Sequence, residues 1–556
     1  MSKNEGAFLS AKDKYENSKY EESLKIINSV KTKDYDFYLL RSKIYYSIND
    51  FYLSLQDSKH CIELKEKSTE PYQISCKNYI NMFDIERAKN ELEKIKKISP
   101  SSINEINKLE KMIIEKEKEN EENCKKFKQY EVFINYMKVI YSYGVYINKI
   151  HVKWESDWMR CILAKDNIKI NDTLIRVPDD LLMTLDTAQN SEIGKYFDEP
   201  LRKKLNSPHH CLLTAYMLQE QKKGNSSKWA FYFPFLPSSY SSFPIFYTET
   251  EMKLLEGTQF YTIVTDKKKE IRQDYDWICE KYSGFSQYSY EDFCKFREVV
   301  SSRIFGVTMK GKKNDIVAPY ADLFNHRRPR GTHWAYEDDQ NAFVVSAIEN
   351  MSPGMEVFDS YGRKCNARFL LNYGFTIEDN EDDEIKIVLS LNNDDKYYKE
   401  KVKLLGNSNK KFTLVRNCRD EQSLLFFSWV RIMEYNGDCK NININNPIMM
   451  KNELSMLKKV KEIMESYLKN YKSTLEDEEK LLKEKRNSMN FNEFNCCIMR
   501  IGELRIFRYF IDLSVKCSEL FSKGKGEIEK VLNGRNQKYR DYEGYIREIK
   551  GKLFID

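Results

Sequence analysis

Nowhere in this chain of 556 residues do apolar side chains run for the roughly 18 consecutive positions of a membrane-spanning helix. The amino terminus, MSKNEGAFLSAKDKYE, also lacks the apolar core of a secretory signal. A membrane role is therefore excluded, and the expected location is cytoplasmic, with the nucleus as the alternative. Excess charge of one sign is missing too. Lys+Arg 91 against Asp+Glu 85 leave +6 over the whole length, whereas a dedicated nucleic-acid binder concentrates its surplus on one face or tail. No direct nucleic-acid binding is expected. The thirteen cysteines are scattered, only Cys496 and Cys497 being adjacent, and no C-x-x-C pair or His-spaced cluster occurs. That argues against a metal site and against a disulfide framework, and for reduced thiols.

What is present is ample apolar and aromatic material, 41% and 13% of the chain, in a length that suggests two to four domains. Residues 1–100 read as helical and weakly repetitive. Tyr20, Phe51 and Ile85 each precede a small residue by three positions (Ser23, Ser54, Ala88), and the anchors are 31 and 34 residues apart. A helix-pair repeat needs a small residue where two helices cross and a bulky one beside it, and about 34 residues is the tetratricopeptide period. A tetratricopeptide-like array is expected, a plain helical array being the alternative. Either would offer a surface to a protein partner.

The Lys/Glu-dense stretch from Ile103 to Lys128 reads as a solvated connecting helix, giving a spacer over 101–144. Short β-branched runs follow at Cys161–Ala164 and Thr173–Val177, then helical, aromatic-rich sequence over about 180–305, then strands at Ala342–Ile348 and Glu356–Asp359. This predicts a β-rich domain over 145–384 interrupted by a helical insert. The remainder, 385–556, is expected to be mainly helical. Glu453–Lys469 and Asn495–Phe521 carry apolar residues at helical spacing (Ile498, Ile501, Leu504, Phe507, Ile511) that read as core.

The informative blocks are Asp322, Asn325 and His326 in a D-x-x-N-H pattern, Gly354 and Glu356 in G-x-E, Tyr361 to Asn366 in Y-G-x-x-x-N, and Tyr373-Gly-Phe375. Alone, each would pass for a capped turn. Together, in this order, they resemble the SET domain of the Rubisco large-subunit methyltransferase-like class, which includes the actin-histidine methyltransferases. Trp229, Tyr232, Leu236 and Pro237 match a further motif of that class, as do Ser302 and Arg303. The resemblance extends from about residue 150 to the carboxyl terminus. It implies an α+β fold: a β-rich, pseudoknotted SET domain with a helical insert, preceded by all-α repeats and followed by an α-helical substrate-binding-like domain.

The resemblance also implies the chemistry. S-adenosyl-L-methionine would be the cofactor and a protein the substrate. Tyr361 would be the catalytic tyrosine, lining the substrate channel with Tyr373. Asn325 and His326 would hold the cofactor from the threaded loop. Arg303 would pair with its carboxylate. Asp322 would contact its ammonium or cap the loop. Tyr373 and Phe375 would be channel or adenine-contact aromatics, and Glu356 and Asn366 would pin turns around Tyr361. Methyl transfer from a sulfonium is an in-line displacement that rests on positioning, and a buried amine beside a cation loses its proton readily. One departure matters. The class opens its SET domain with a G-x-G-L turn, and here the aligned residues are Met159, Arg160 and Cys161, whose side chains would stand at the cofactor surface. Two readings follow: a protein methyltransferase, with lysine on a non-histone protein as the expected acceptor and histidine the alternative, or a non-catalytic scaffold that keeps the fold to bind partners.

Overall fold

Three aspartates punctuate the amino-terminal helices. Asp34, Asp50 and Asp84 each precede a helix and accept from the backbone amide three residues on, at 3.0, 3.3 and 3.3 Å, satisfying a donor that the helix cannot. In the computed structural model, which describes residues 3–31, 33–157, 159–439, 442–534 and 536–554, these helices form three antiparallel pairs: α1 (Lys3–Glu16) with α2 (Tyr20–Asn28), α3 (Tyr35–Ser47) with α4 (Phe51–Leu64), and α5 (Thr69–Asn81) with α6 (Ile85–Ile98). Ser23, Ser54 and Ala88, the small residues of the repeat, are fully buried. Each meets a residue twelve positions earlier. The Ser23 hydroxyl donates to Ala11 O at 2.6 Å, that of Ser54 to Ser42 O at 2.8 Å, and the Cys76 thiol to Ala88 O at 3.3 Å. The sequence period thus marks a recurring helix crossing.

The connecting helix is not a free spacer. In α7 (Ile103–Lys126), Ile106, Leu109 and Ile113 are buried against the preceding helices, while Ile114 is exposed. One apolar residue per turn suffices to dock a helix otherwise built of Lys and Glu. The following helix, α8 (Tyr130–Ser142), is apolar enough to bury Phe133, Tyr136, Met137 and Ile140.

The described chain forms two compact units, residues 1–238 with 274–361, and residues 239–273 with 362–556. The expected 145–384 domain is therefore not one body: part of its helical insert packs with the carboxyl-terminal helices. In the first unit, Thr173–Pro178 is central to an antiparallel sheet in the order 146–147, 173–178, 342–347, 332–337. Its Leu174, Ile175 and Val177 are fully buried. Further strands pair Ile150–Trp154 with Arg160–Ala164, and Ile304–Met309 with Lys312–Val317. After the hairpin 332–347 the chain returns, bonding Ala164 N to Met355 O and Val357 N to Ile162 O, each at 2.8 Å. It then pairs Phe358–Asp359 with Asn325–His326 in parallel. The helical repeats are tied to this sheet by Arg176, which donates to the buried Asp50 at 2.6 Å, and by Asn49 on Asn148 at 3.0 Å.

The second unit departs from the mainly helical expectation at its start, where Ile385–Ser390 and Asn409–Leu414 pair antiparallel across a connection that holds the helix Tyr398–Leu405. Ile385, Ile387 and Leu389 alternate into a core shared with Phe412, Trp429, Val460, Phe507 and Phe510. That alternation is present in the sequence and was not separated from the mainly helical remainder. Met450–Leu468 and Phe491–Ser522 are the expected long helices, with Ile498, Ile501, Leu504 and Phe507 buried and Ile511 partly so.

Candidate functional site

The parallel pairing of 325–326 with 358–359 puts residues distant in sequence side by side. Tyr361 N donates to His326 Nδ1 at 2.9 Å, so that ring nitrogen carries no proton and the ring N–H sits on Nε2. The Tyr361 and His326 rings stack at 5.2 Å. The Tyr361 hydroxyl donates to Phe324 O at 2.8 Å. Its proton is thereby committed to the backbone. Asn325 donates through Nδ2 to Glu356 Oε1 at 2.8 Å and to Arg160 O at 3.2 Å. Glu356 thus pins the loop beside Tyr361, and Arg160 lies against it.

Behind this pair is a buried charge cluster. Arg303, the last residue of the helix Tyr290–Arg303, donates through Nη1 to Asp322 Oδ2 at 2.9 Å and to Asp322 O at 3.2 Å. Tyr232 donates to the same Oδ2 at 2.7 Å. Oδ1 of Asp322 is buried with no hydrogen-bond partner, an uncommon state for a carboxylate whose side chain is 1% exposed. Burial pushes the Tyr232 and Tyr136 phenols well above their ordinary range, with Asp322 adding to it in both. Both hydroxyls are therefore neutral.

Two residues of this cluster were not foreseen. Tyr320 adopts φ +71°, in the left-handed region that favours glycine. Its amide donates to the Tyr136 hydroxyl at 2.6 Å. A helix from the supposed spacer region therefore holds the strained entry to the Asp322–His326 block. Nothing in the sequence around Tyr136 distinguishes it from core. Tyr232 was legible only as part of a motif, without its role.

The wall opposite is aromatic. The Arg160 guanidinium lies over Phe235 at 4.2 Å and over Trp154 at 5.1 Å, and Phe235 packs tilted against Tyr136 with ring centres 4.3 Å apart. The side chain in place of a glycine is thus held on aromatic faces. Met159 is exposed. Cys161 is buried, and burial raises its thiol.

Residues 159–362 match the family model described as SET domain, and residues 392–507 that described as Rubisco LSMT substrate-binding. Residues 159–362 are a SET domain. Actin-histidine N-methyltransferase of Gallus gallus is 23% identical over 390 residues, covering 65% of this chain and 64% of that protein. The Homo sapiens protein of the same name is 25% identical over 373 residues, covering 62% and 61%. The chain thus spans under two thirds of the length of these relatives. The structure of the SET domain of LSMT bound to lysine and AdoHcy superposes with TM-score 0.60 at 19% identity, covering 72% of this chain and 95% of that one. Rubisco LSMT bound to AdoMet gives 0.59 at 19%. The SET fold, and a helical substrate-binding-type domain after it, are therefore those foreseen from the motif order.

Of the expected site residues, Arg303, Asp322, Asn325, His326 and Tyr361 come together in the SET part of the first unit. Tyr373 and Phe375 lie in the second, where Tyr373 ends the helix Asn366–Tyr373 and both rings pack around Phe369, at 6.2 and 5.2 Å. Asn366 pins the loop after that helix, bonding Ile377 and Asp383 at 2.7–2.9 Å. Among the described residues no group of His, Cys, Asp and Glu is arranged to hold a metal ion.

Proposed function

We propose that this chain is an S-adenosylmethionine-dependent protein methyltransferase whose acceptor is a lysine on a non-histone protein. The observation that carries the reading is the pairing that brings Asn325 and His326 against the segment leading into Tyr361, with the Oδ1 of Asp322, three residues before Asn325, buried and unpartnered. A carboxylate oxygen kept from water without a donor suits the ammonium of an amino-acid-bearing cofactor. The residues present fit that group. Asp322 would accept from its ammonium, Arg303 would lie near its carboxylate, and Asn325 and His326 would bound it from the loop. Bound there, S-adenosylmethionine supplies an electrophilic methyl group.

The chain's own residues supply position. The Tyr361 hydroxyl, fixed by its bond to Phe324 O, accepts an N–H of the acceptor amine and aligns its lone pair. Desolvation lowers the pKa of that amine, so its proton leaves to water without a dedicated base. The repeats at 1–100 support a protein rather than a small-molecule substrate, as does the substrate-binding-type domain. Histidine as acceptor is the second reading on chemistry, supported by the names of the sequence relatives. The non-catalytic scaffold is the second reading on class, favoured by Arg160 where the class has glycine. Titration of the full chain with S-adenosylmethionine, followed by incubation of cell extract with labelled cofactor and mass spectrometry of the labelled protein, tests all three. Binding plus a methyl-lysine product is expected. Absence of binding at millimolar cofactor to folded protein leaves the scaffold.

A further inference from the structure

The four residues after His326 are Arg327, Arg328, Pro329 and Arg330, three guanidinium groups in a chain whose net charge is only +6. Both ends of this loop are fixed to the segment leading into Tyr361: Arg327 N donates to Asp359 O at 2.9 Å, and Gly331 N to Phe358 O at 3.1 Å. Arg327 is structural. It pairs with Glu349, donates to Pro329 O at 3.1 Å and lies over the Phe358 ring at 5.1 Å. A Cβ on Gly331 would fall 2.7 Å from Glu349 Oε1, so a larger residue there would have to displace the carboxylate that holds Arg327. Arg330 is different. It donates to His333 Nδ1 at 3.0 Å, and no carboxylate among the described residues lies within ion-pair distance of it, although its charge is near enough to the buried Asp359 carboxyl to offset part of the upward push of burial there. Asp359, the carboxylate nearest the loop's root, is buried and already bonded by Thr332 and Trp334. Arg328 beside it is exposed.

We infer that the Arg327–Arg330 loop is a recognition surface for an acidic segment of the protein substrate, with Arg330 contacting a carboxylate a few residues from the methylated side chain. The inference rests on the methyltransferase reading for the word substrate, but the surface and its chemistry stand on the loop alone. A fixed arginine fork matches a carboxylate in two parallel hydrogen bonds, which a mobile lysine does not. An extended peptide advances about 3.3–3.6 Å per residue. The loop is rooted on Phe358 and Asp359, the strand that leads into Tyr361, which puts it on the same strand pair as the proposed acceptor site.

The test is fluorescence anisotropy of the full chain with labelled poly-glutamate, poly-lysine and single-stranded oligonucleotide probes. The variants are Arg330→Glu, Arg330→Gln and, as a control of equal net charge to the first, Lys195→Glu in the helical insert. Poly-glutamate should bind and poly-lysine should not. Arg330→Glu should weaken poly-glutamate binding roughly tenfold and Arg330→Gln by less, with Lys195→Glu near wild type. Added salt should weaken binding in the wild type more than in Arg330→Glu. Equal loss in Arg330→Glu and Lys195→Glu, tighter binding of the oligonucleotide, or no binding of poly-glutamate would each overturn the inference. Cofactor titration on the same samples reads the methyltransferase proposal separately. Cofactor binding without charge preference sinks only the loop, and the converse sinks only the enzyme.

Discussion

Replacing Asp322 with asparagine separates the two roles open to that side chain. Two donors converge on Oδ2, Arg303 at 2.9 Å and Tyr232 at 2.7 Å, while Oδ1 has none. Asparagine with its carbonyl at the Oδ2 position keeps both bonds, at about half the strength of bonds to a carboxylate, and presents an NH2 where Oδ1 was. The folded protein then loses the charge that compensates Arg303, whose side chain is 16% exposed. Complete removal of such a partner, as in Asp322→Ala, costs about 3–5 kcal/mol, and Asp322→Asn should cost a fraction of that. For cofactor the effect runs the other way round in size. An NH2 facing an ammonium replaces one charge-assisted bond, worth about 1.5–3 kcal/mol, by a donor–donor contact, so affinity should fall about ten- to a hundredfold. Calorimetric titration of Asp322→Asn with S-adenosylmethionine, with thermal unfolding of the same sample, reads the two effects apart. A folded Asp322→Asn that binds cofactor within about twofold of wild type would refute the ammonium role and leave Asp322 as a loop cap.

Arg160→Gly should strengthen cofactor binding if the stacked side chain narrows the cleft, at a stability cost of about 1–2 kcal/mol from two lost cation–π contacts; titration together with urea unfolding measures both, and unchanged affinity would mean that the side chain lies outside the cofactor's volume. Ser54→Leu should destabilise the amino-terminal helices by about 1–3 kcal/mol, because the fully buried hydroxyl also accepts from Asn78 at 2.8 Å and no room for a larger side chain remains; circular dichroism on urea titration checks it. Burial pushes Glu503 up to about 7, against the Tyr471 hydroxyl and the amides of Gln259 and Phe260. The folded state then holds a proton that the unfolded chain releases from near pH 4.5. The contribution is fully present below that pH and is lost as pH rises through about 7. Stability of the carboxyl-terminal helices should fall between those values, and Glu503→Gln should flatten the profile; an unchanged slope would place the titration elsewhere.

The class of fold was legible in the sequence, and five of the residues it singled out come together in the structure. Local order suffices for that. D-x-x-N-H, G-x-E and Y-G-x-x-x-N each pass for a turn alone, but in succession they resemble the SET class, whose threaded return agrees with the pairing of 358–359 with 325–326. The repeat anchors worked for the same reason, since a helix crossing selects small residues at a fixed spacing. Tertiary structure decided what periodicity cannot carry. Tyr136 looks like any core aromatic of an amphipathic helix, yet its hydroxyl meets an amide 184 residues away. Asp322 was read with two possible roles, and only packing left one oxygen with two donors and the other with none. Arg160 was legible as a missing glycine, but its fate on Phe235 and Trp154 depends on rings from separate segments. Burial and unmet hydrogen-bonding capacity are properties of a closed surface, and a linear sequence has none until the chain folds back on itself.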